Sequence, residues 1–564
     1  MIEVYCENLK KSVQCEPGTT LSQLLMKINL SNKWPILAAI VDNQLKELLF
    51  PIYMPHRVQF IDYTHRDGQR CYSRSLIFVL QRVVAKLYPQ YLLIVDYNLQ
   101  NGMYCELREL EPEEDGTPKV ATLSEEEIDL ICEEMLKLIK ADLPFTREKI
   151  HTEDAIKIFR QHHQEQKAVL HELRGKFFTT VYYLDGYADH FYGPLTESTG
   201  VLKTFVLESF SRGFLLNIPP ITSPYQVQKT PYQYKLFDVF KEHSQWCSIL
   251  GVKGVGTLNS TILANKSRDM IQIAEGLHER KYADIADKIY ERRGDVRLVL
   301  IAGPSSSGKT TTSKRVALQC RVLGMNPIII EMDNYFVDRE RTPRDENGNY
   351  NFESFQALDV NFLSLQMNQL FEGKAVQLPK FNFTEGKRTF NGNILQMNEN
   401  DILIMEGIHA LNPNLTKDMP SNKYYRIYAS ALTSLSLDEN NNISTSDNRL
   451  LRRIVRDANF RGVSPEETIL RWPSVRHGEI ENIFPYQENA DVMFNSALIY
   501  ELPVLKYYVE PSLRRIHLNS PASVESIRLL KFLSYVQEMQ PSEIAFIPPT
   551  SVIREFIGGS SFIY

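Results

Sequence analysis

The chain has 564 residues, 43% hydrophobic and 23% charged, with 63 Lys and Arg against 69 Asp and Glu for a formal net charge of −6. That length exceeds one ordinary core and predicts about three to five domains, while the near-balanced, slightly acidic charge argues against a nucleic-acid or membrane-surface binder driven by bulk electrostatics and leaves only local basic patches open. The seven cysteines are scattered and never form a close CxxC pair, no signal peptide opens the chain, and no apolar run approaches the ~18 residues of a membrane span; reduced thiols in a cytoplasmic protein are expected.

Residues 1–62 read as a small α+β module: β-like runs MIEVYC and KKSVQCE, the turn Glu16-Pro17-Gly18-Thr19, a helix from Thr20 to Ile28, then short strands. This order resembles the TGS domain, a ubiquitin-like unit at the N-terminus of threonyl-tRNA synthetases and of a few regulatory proteins. Within 63–225, YSRSLIFVLQRVVAKLYPQ at 72–90 and DHFYGPLTESTGVLKTFVL at 189–207 resemble the second additional domain of threonyl-tRNA synthetase, which performs editing. In that family the first segment opens with H-x-x-x-H on a helix and the second holds Cys and His four apart. Here Tyr72, Leu76, Phe191 and Leu195 stand at those positions. None of them is suited to bind a metal or activate water at neutral pH, so the resemblance implies the fold without the editing chemistry. His162, His163 and His171 lie in a charged stretch of helical spacing and read as a solvated helix face, and His190 beside Asp189 reads as structural. Residues 226–290 read as a linker region ending in helix.

Residues 296–320, VRLVLIAGPSSSGKTTTSKRVALQC, carry a complete phosphate-binding loop in context. An apolar run that reads as a buried parallel strand precedes Gly303 to Thr310, which satisfies G-x-x-x-x-G-K-[ST], and a helix pattern follows. Gly303, Pro304, Ser305, Ser306, Ser307, Gly308, Lys309, Thr310 and Thr311 are thereby the expected nucleotide-binding residues, with Lys309 reaching the β/γ-phosphates and the Thr310 hydroxyl offered to Mg²⁺. Such a loop alone fits kinases, motor-like ATPases and GTPases, so the accompanying carboxylates decide. NPIIIEMDNYF gives a second strand ending at Asp333, and DILIMEGIHAL gives another ending at Glu406. Both carboxylates fall at the carboxyl ends of parallel strands, where ligands bind. Strand-end carboxylates also cap helices, but together with the loop they point to a kinase.

These segments, with NFESFQALD at 351–359, VQLPKFNF at 376–383 and RLLRRIVRDANFRG at 449–462, resemble the uridine kinase family within the uridine kinase and phosphoribulokinase group, over roughly 296–500. With its N-terminal regions the whole chain is similar to long bacterial uridine kinase-like proteins that carry a synthetase-like N-terminus. The resemblance implies a multidomain α/β and α+β protein: a P-loop kinase domain at 291–520 with a parallel sheet flanked by helices, preceded by the TGS-like and editing-like units and followed by a helix and tail at 521–564. It implies ATP or GTP as phosphate donor, Asp333 as general base toward a nucleoside 5′-hydroxyl, Mg²⁺ held by Thr310 and Glu406 with Asp333 nearby, and Lys309 on the transferring group. Arg452, Arg453, Arg456 and Arg461 would form a lid of which two or three turn inward, with Arg452 and Arg456 as catalytic groups and Arg461 on the substrate. Glu353 matches a family Asp that binds ribose hydroxyls. Phe336, Phe352 and Phe381 would line a base slot, and each equally fits ordinary core packing.

Base recognition departs from the family. Phe381 and Gly386 stand where pyrimidine kinases carry the Tyr and His that read the base edge, so bases are expected to be discriminated less sharply, or by other groups such as Asn382, Lys387 or Arg388. Uridine and cytidine are the family default; a purine nucleoside, another small metabolite, and an RNA-binding regulatory role for the N-terminal half stay open, as does a homo-oligomer. The sequence implies no membrane partner.

Overall fold

The computed structural model describes residues 1–99, 102–111, 119–229, 231, 233–344, 348, 350–382, 385–417, 419–433 and 435–564. Residues 1–62 build a five-stranded mixed sheet in the order Lys11–Cys15, Ile2–Cys6, His56–Asp62, Ile36–Val41, Gln44–Lys46. The helix Leu21–Ile28 starts at Thr20, whose hydroxyl accepts from the Gln23 amide (3.2 Å) while the Gln23 side chain accepts from the Thr20 amide (3.0 Å). This reciprocal cap satisfies two otherwise orphaned donors and lets Leu21 and Leu24 enter the sheet core.

The next region hangs on the 22-residue helix Arg66–Leu87, which packs across the strands Tyr91–Leu99 and Gly102–Glu109 and a separate sheet of Thr146–His151, Phe178–Leu184 and Tyr187–Asp189. Tyr72, Leu76, Phe191 and Leu195 all fall in one apolar core there, between 0% and 4% exposed. Of the histidines expected on a solvated face, His163 is exposed and His162 stacks on Tyr187 at 4.2 Å. His171 is a correction: it is buried beside His190, with Thr179 on its Nδ1, because the stretch splits into two helices and turns this position inward.

Residues 226–290 end in helix as expected, and helix also takes up most of the part expected as linker. The segment folds as helices Tyr234–Ile249, Val255–Leu263 and Ser267–Glu291, and the last packs Tyr282, Ile285, Ala286 and Ile289 onto the C-terminal sheet. That sheet has five parallel strands in the order Asn326–Glu331, Asp401–Glu406, Leu298–Ala302, Tyr424–Ser430, Val492–Asn495. The central strand Leu298–Ala302 is buried throughout, as a parallel strand covered on both faces must be. Its side chains alternate: Val299 and Ile301 meet the Ser267–Glu291 helix, while Leu298, Leu300 and Ala302 meet Leu363, Met367 and their neighbours on the other face.

Two features tie the C-terminal region to the rest. The loop Leu435–Ile443 runs into the N-terminal half, where Glu439 accepts from the amides of Gln166 (2.7 Å) and Lys167 (3.2 Å) and Asn440 donates to the Leu93 carbonyl (3.0 Å). The fully buried Lys167 ammonium lies between Asp189 and Asp438 there. The other is the tail, residues 521–564: the helix Ser523–Leu533 and the turn Arg554–Ile557 share a core with the arginine-bearing helix Thr445–Arg456.

Candidate functional site

The strand Leu298–Ala302 delivers the chain into the phosphate loop at the carboxyl edge of the sheet, between the ends of Asp401–Glu406 and Tyr424–Ser430. Gly303 has no room for a side chain: a Cβ there would lie 1.9 Å from the Ala429 carbonyl oxygen. Ser306 and Gly308 adopt left-handed conformations (φ 58° and 79°), which wraps the loop into a cradle before the helix Lys309–Val322 begins. The hydroxyls of Ser306 and Ser307, 3% and 0% exposed, have no hydrogen-bond partner among the described residues. Ser305 donates its amide to Glu479 (3.0 Å) and accepts from the Arg453 guanidinium (2.6 Å).

Thr310 donates its hydroxyl to Glu406 at 2.9 Å. Burial pushes Glu406 up to about 7, with Lys309 opposing and the Asp333 charge reinforcing the shift. Asp333 is exposed to solvent just past its strand, and the protein crowding it raises its carboxyl above the ordinary range against the pull of Lys309. Glu353 is pushed up to about 7 by burial and by Glu479. Carboxyls driven upward around one lysine are short of positive charge. The oxygen-only donor set of Thr310, Glu406 and Asp333 fits a hard cation such as Mg²⁺.

The arginines divide. Arg452 is fully buried and bound to Glu501, with Ser306 and Ser496 as further partners, so the lid role expected for it is not the role its packing gives. One residue on, about 100° around the helix, Arg453 faces the loop. Arg453, Arg456 and Arg461 gather on Asp457 at 2.8, 3.5 and 3.6 Å, and burial among like charges lowers Arg456 to about 10. The helix ends in a π-turn at Asp457–Arg461, an irregularity often found at functional sites.

In the expected base slot, Phe336 meets Phe381 edge-on at 5.8 Å and Phe352 at 6.1 Å, all within the sheet-side core. Arg388 is spoken for: it bonds Asp359 (3.0 Å) and the carbonyls of Tyr335 and Phe336, so it braces the slot rather than facing it. Gly386 has φ 69°, and a Cβ there would lie 2.6 Å from Arg339, whose side chain fills the space left by the missing residue. Sequence reasoning missed Glu479 and Glu555, the latter a tail carboxylate on the Thr311 amide (3.3 Å). Neither lies in a recognisable motif, since each reaches the loop only through tertiary packing.

The ordered strand, loop and carboxylates agree with a comparison across known families. Residues 298–500 match the Phosphoribulokinase / Uridine kinase family. The match takes in the phosphate loop, Asp333, Glu406 and the arginine-bearing helix. A uridine kinase of Brevibacillus brevis is 28% identical over 201 residues, 36% of this chain and 85% of that protein. The N-terminal part resembles a threonine–tRNA ligase of Thermotoga neapolitana, 27% identical over 201 residues, 35% of this chain and 29% of that protein. A solved structure described as a possible uridine kinase from Bacillus stearothermophilus overlaps 38% of this chain and 98% of its own, at 21% identity and a TM-score of 0.27.

Proposed function

We propose that the chain is an ATP- and Mg²⁺-dependent phosphotransferase whose acceptor is the 5′-hydroxyl of a nucleoside. The observation that carries this reading is the convergence of Lys309, Thr310, Glu406 and Asp333 at the carboxyl edge of the parallel sheet, beside the aromatic slot of Phe336, Phe352 and Phe381. In this reading the loop amides and Lys309 hold the donor phosphates, and Thr310 and Glu406 hold Mg²⁺, which when bound neutralises phosphate charge. Asp333 accepts the acceptor hydroxyl's proton. Its raised pKa brings it nearer the working pH, which favours a general base. Arg453, Arg456 and Arg461 stabilise charge developing on the transferring group, with Asp457 keeping them together between turnovers. Glu353 binds ribose hydroxyls.

The residues at Phe381 and Gly386 support a site that selects its base by shape and stacking rather than through the Tyr and His of pyrimidine kinases. Uridine or cytidine is the default acceptor and a purine nucleoside the alternative. The N-terminal regions are read as TGS-like and editing-like folds that scaffold the kinase, since apolar groups fill the editing positions. The test is ATP- and Mg²⁺-dependent product formation across ribonucleosides, deoxyribonucleosides, pantothenate and ribulose 5-phosphate. Turnover of a nucleoside is the expected result; exclusive turnover of a non-nucleoside, or none at all, defeats the proposal.

A further inference from the structure

The first amides of a helix lack intrahelical partners and attract anions, and in a phosphate loop they turn toward the nucleotide's α/β-phosphates. In this chain an anion of its own already sits there. Glu555 accepts from the Thr311 amide at 3.3 Å and from the Thr311 hydroxyl at 2.7 Å. Thr311 directly follows the Lys309-Thr310 pair, so this amide belongs to the phosphate-facing set.

Three further contacts hold the tail over the loop. Val552 packs on Gly308 so closely that a Cβ on that glycine would lie 2.4 Å from the valine γ-methyl. The Tyr564 hydroxyl stands 2.9 Å from that of Thr311, and Lys314 donates to the Ile563 carbonyl. Val552, Ile553 and Phe556 are at most 1% exposed and share a core with Leu450, Leu451 and Ile454, so the backbone beneath Glu555 is fixed. The Glu555 side chain itself is only half-buried, and Arg456 is near enough for the two charges to act on each other.

We propose that Glu555 is a built-in phosphate mimic that shuts the nucleotide site, and that nucleotide enters when this carboxylate leaves Thr311 and turns toward Arg456. The inference rests on the nucleotide reading of the loop. A carboxylate and a phosphate cannot share one amide, because two anions there repel and only one can accept the hydrogen bond. The apparent affinity for nucleotide is then the intrinsic affinity reduced by the fraction of molecules with the carboxylate swung away.

The experiment is calorimetric titration of the full-length protein with ATP and Mg²⁺ at fixed ionic strength, comparing the unaltered chain with Glu555→Ala, Glu555→Gln and Tyr564→Phe, with Lys309→Ala as the control for binding through the loop and adenosine as a ligand without phosphate. Glu555→Ala is expected to bind ATP roughly tenfold more tightly, with Glu555→Gln between the two and Tyr564→Phe changed less. Adenosine affinity should not move, since adenosine does not compete with a carboxylate for an amide. ATP affinity unchanged or weakened in both Glu555 variants, while Lys309→Ala abolishes it, overturns the inference and makes Glu555 a helix cap or a metal-side residue. Equal tightening for adenosine overturns it too, by showing a general loosening of the tail. Failure of every protein, the unaltered chain included, to bind ATP removes the nucleotide reading and this inference together.

Discussion

The helix bearing Tyr72 and Leu76 and the loop bearing Lys309 and Thr310 occupy opposite halves of one chain, and their surroundings are opposite in kind. Around Tyr72, Leu76, Phe191 and Leu195 the apolar groups pack on one another, and the Tyr72 hydroxyl donates to the Thr204 carbonyl (3.0 Å) and accepts from the Thr204 amide (2.9 Å). Around Lys309 demands are left open. Two buried hydroxyls lack partners among the described residues, two carboxyls are pushed up to about 7, and three arginines crowd one aspartate. Groups held in such tension are the mark of a place where something else must bind, whereas a closed core needs nothing further. The comparison teaches that resemblance to an enzyme and readiness for chemistry are separate properties, each legible in a different kind of side chain.

The sharpest way to test the open side is to remove its working groups. Lys309→Ala and Asp333→Asn should each lower turnover by about a thousandfold or more, and Asp333→Asn should leave ATP binding largely intact because it touches the acceptor rather than the donor. Near-normal turnover in Asp333→Asn would take the general-base role away from it; steady-state kinetics paired with ATP titration separates the two effects.

On the closed side the expected effect is on stability. Leu76→His, which places one of the family's histidines back, buries an imidazole where the native leucine is 0% exposed. It should destabilise the protein by about 3 kcal/mol in urea unfolding and create no hydrolytic activity. A variant as stable as the parent would mean that the region still keeps polar space for a ligand, and the contrast between the halves would fail.

The smallest effect, taken one histidine at a time, concerns a property the halves share. Burial holds His171 in the N-terminal half down to about 3, His278 down to about 3, and His243 and His409 down to about 4. In the unfolded chain histidine titrates near 6.5, so below that pH the unfolded state binds more protons than the fold does. The stability these groups contribute is complete above about pH 6.5 and is lost as pH falls toward 4 and then 3, each costing up to about 1.4 kcal/mol per pH unit. Urea midpoints between pH 7.5 and 5 should fall accordingly, and His278→Gln should flatten the slope by one proton's share. An unchanged slope would show that His278 is protonated in the fold.

Much of this was legible in the residues. A parallel strand, a glycine-rich loop and a helix follow from VRLVLIAGPSSSGKTTTSK because local periodicity and steric demand write them into adjacent positions. The carboxylates at strand ends were legible for the same reason. What sequence missed is set by side-chain direction and by contacts between distant segments. Arg452 and Arg453 are neighbours in sequence, yet one is locked to Glu501 and the other reaches Ser305, a difference of about 100° that no motif records. The helix that ends residues 226–290 was legible, but the helices Tyr234–Ile249 and Val255–Leu263 before it read as linker, because their buried side chains find partners only in distant segments of the chain. Phe381→Tyr with Gly386→His would return the Tyr and His of pyrimidine kinases to their positions in the sequence. The left-handed backbone at Gly386 and the Arg339 side chain across it make that histidine a strained fit.

The loop Leu435–Ile443 gives the first half of the chain a hold on the second. It is seated on Gln166, Lys167 and Leu93, and it leads directly into the helix that carries the arginines, whose Asp447 is also paired with Arg70 and Arg528. In evolutionary terms the synthetase-like region can drift in chemistry far more freely than it can be deleted. Exchanging side chains away from Gln166, Lys167 and Leu93 leaves the seat intact, but excising the fold would cut the arginine helix from its anchor. Selection acting on the proposed phosphoryl transfer alone would therefore preserve this region for the anchor it provides.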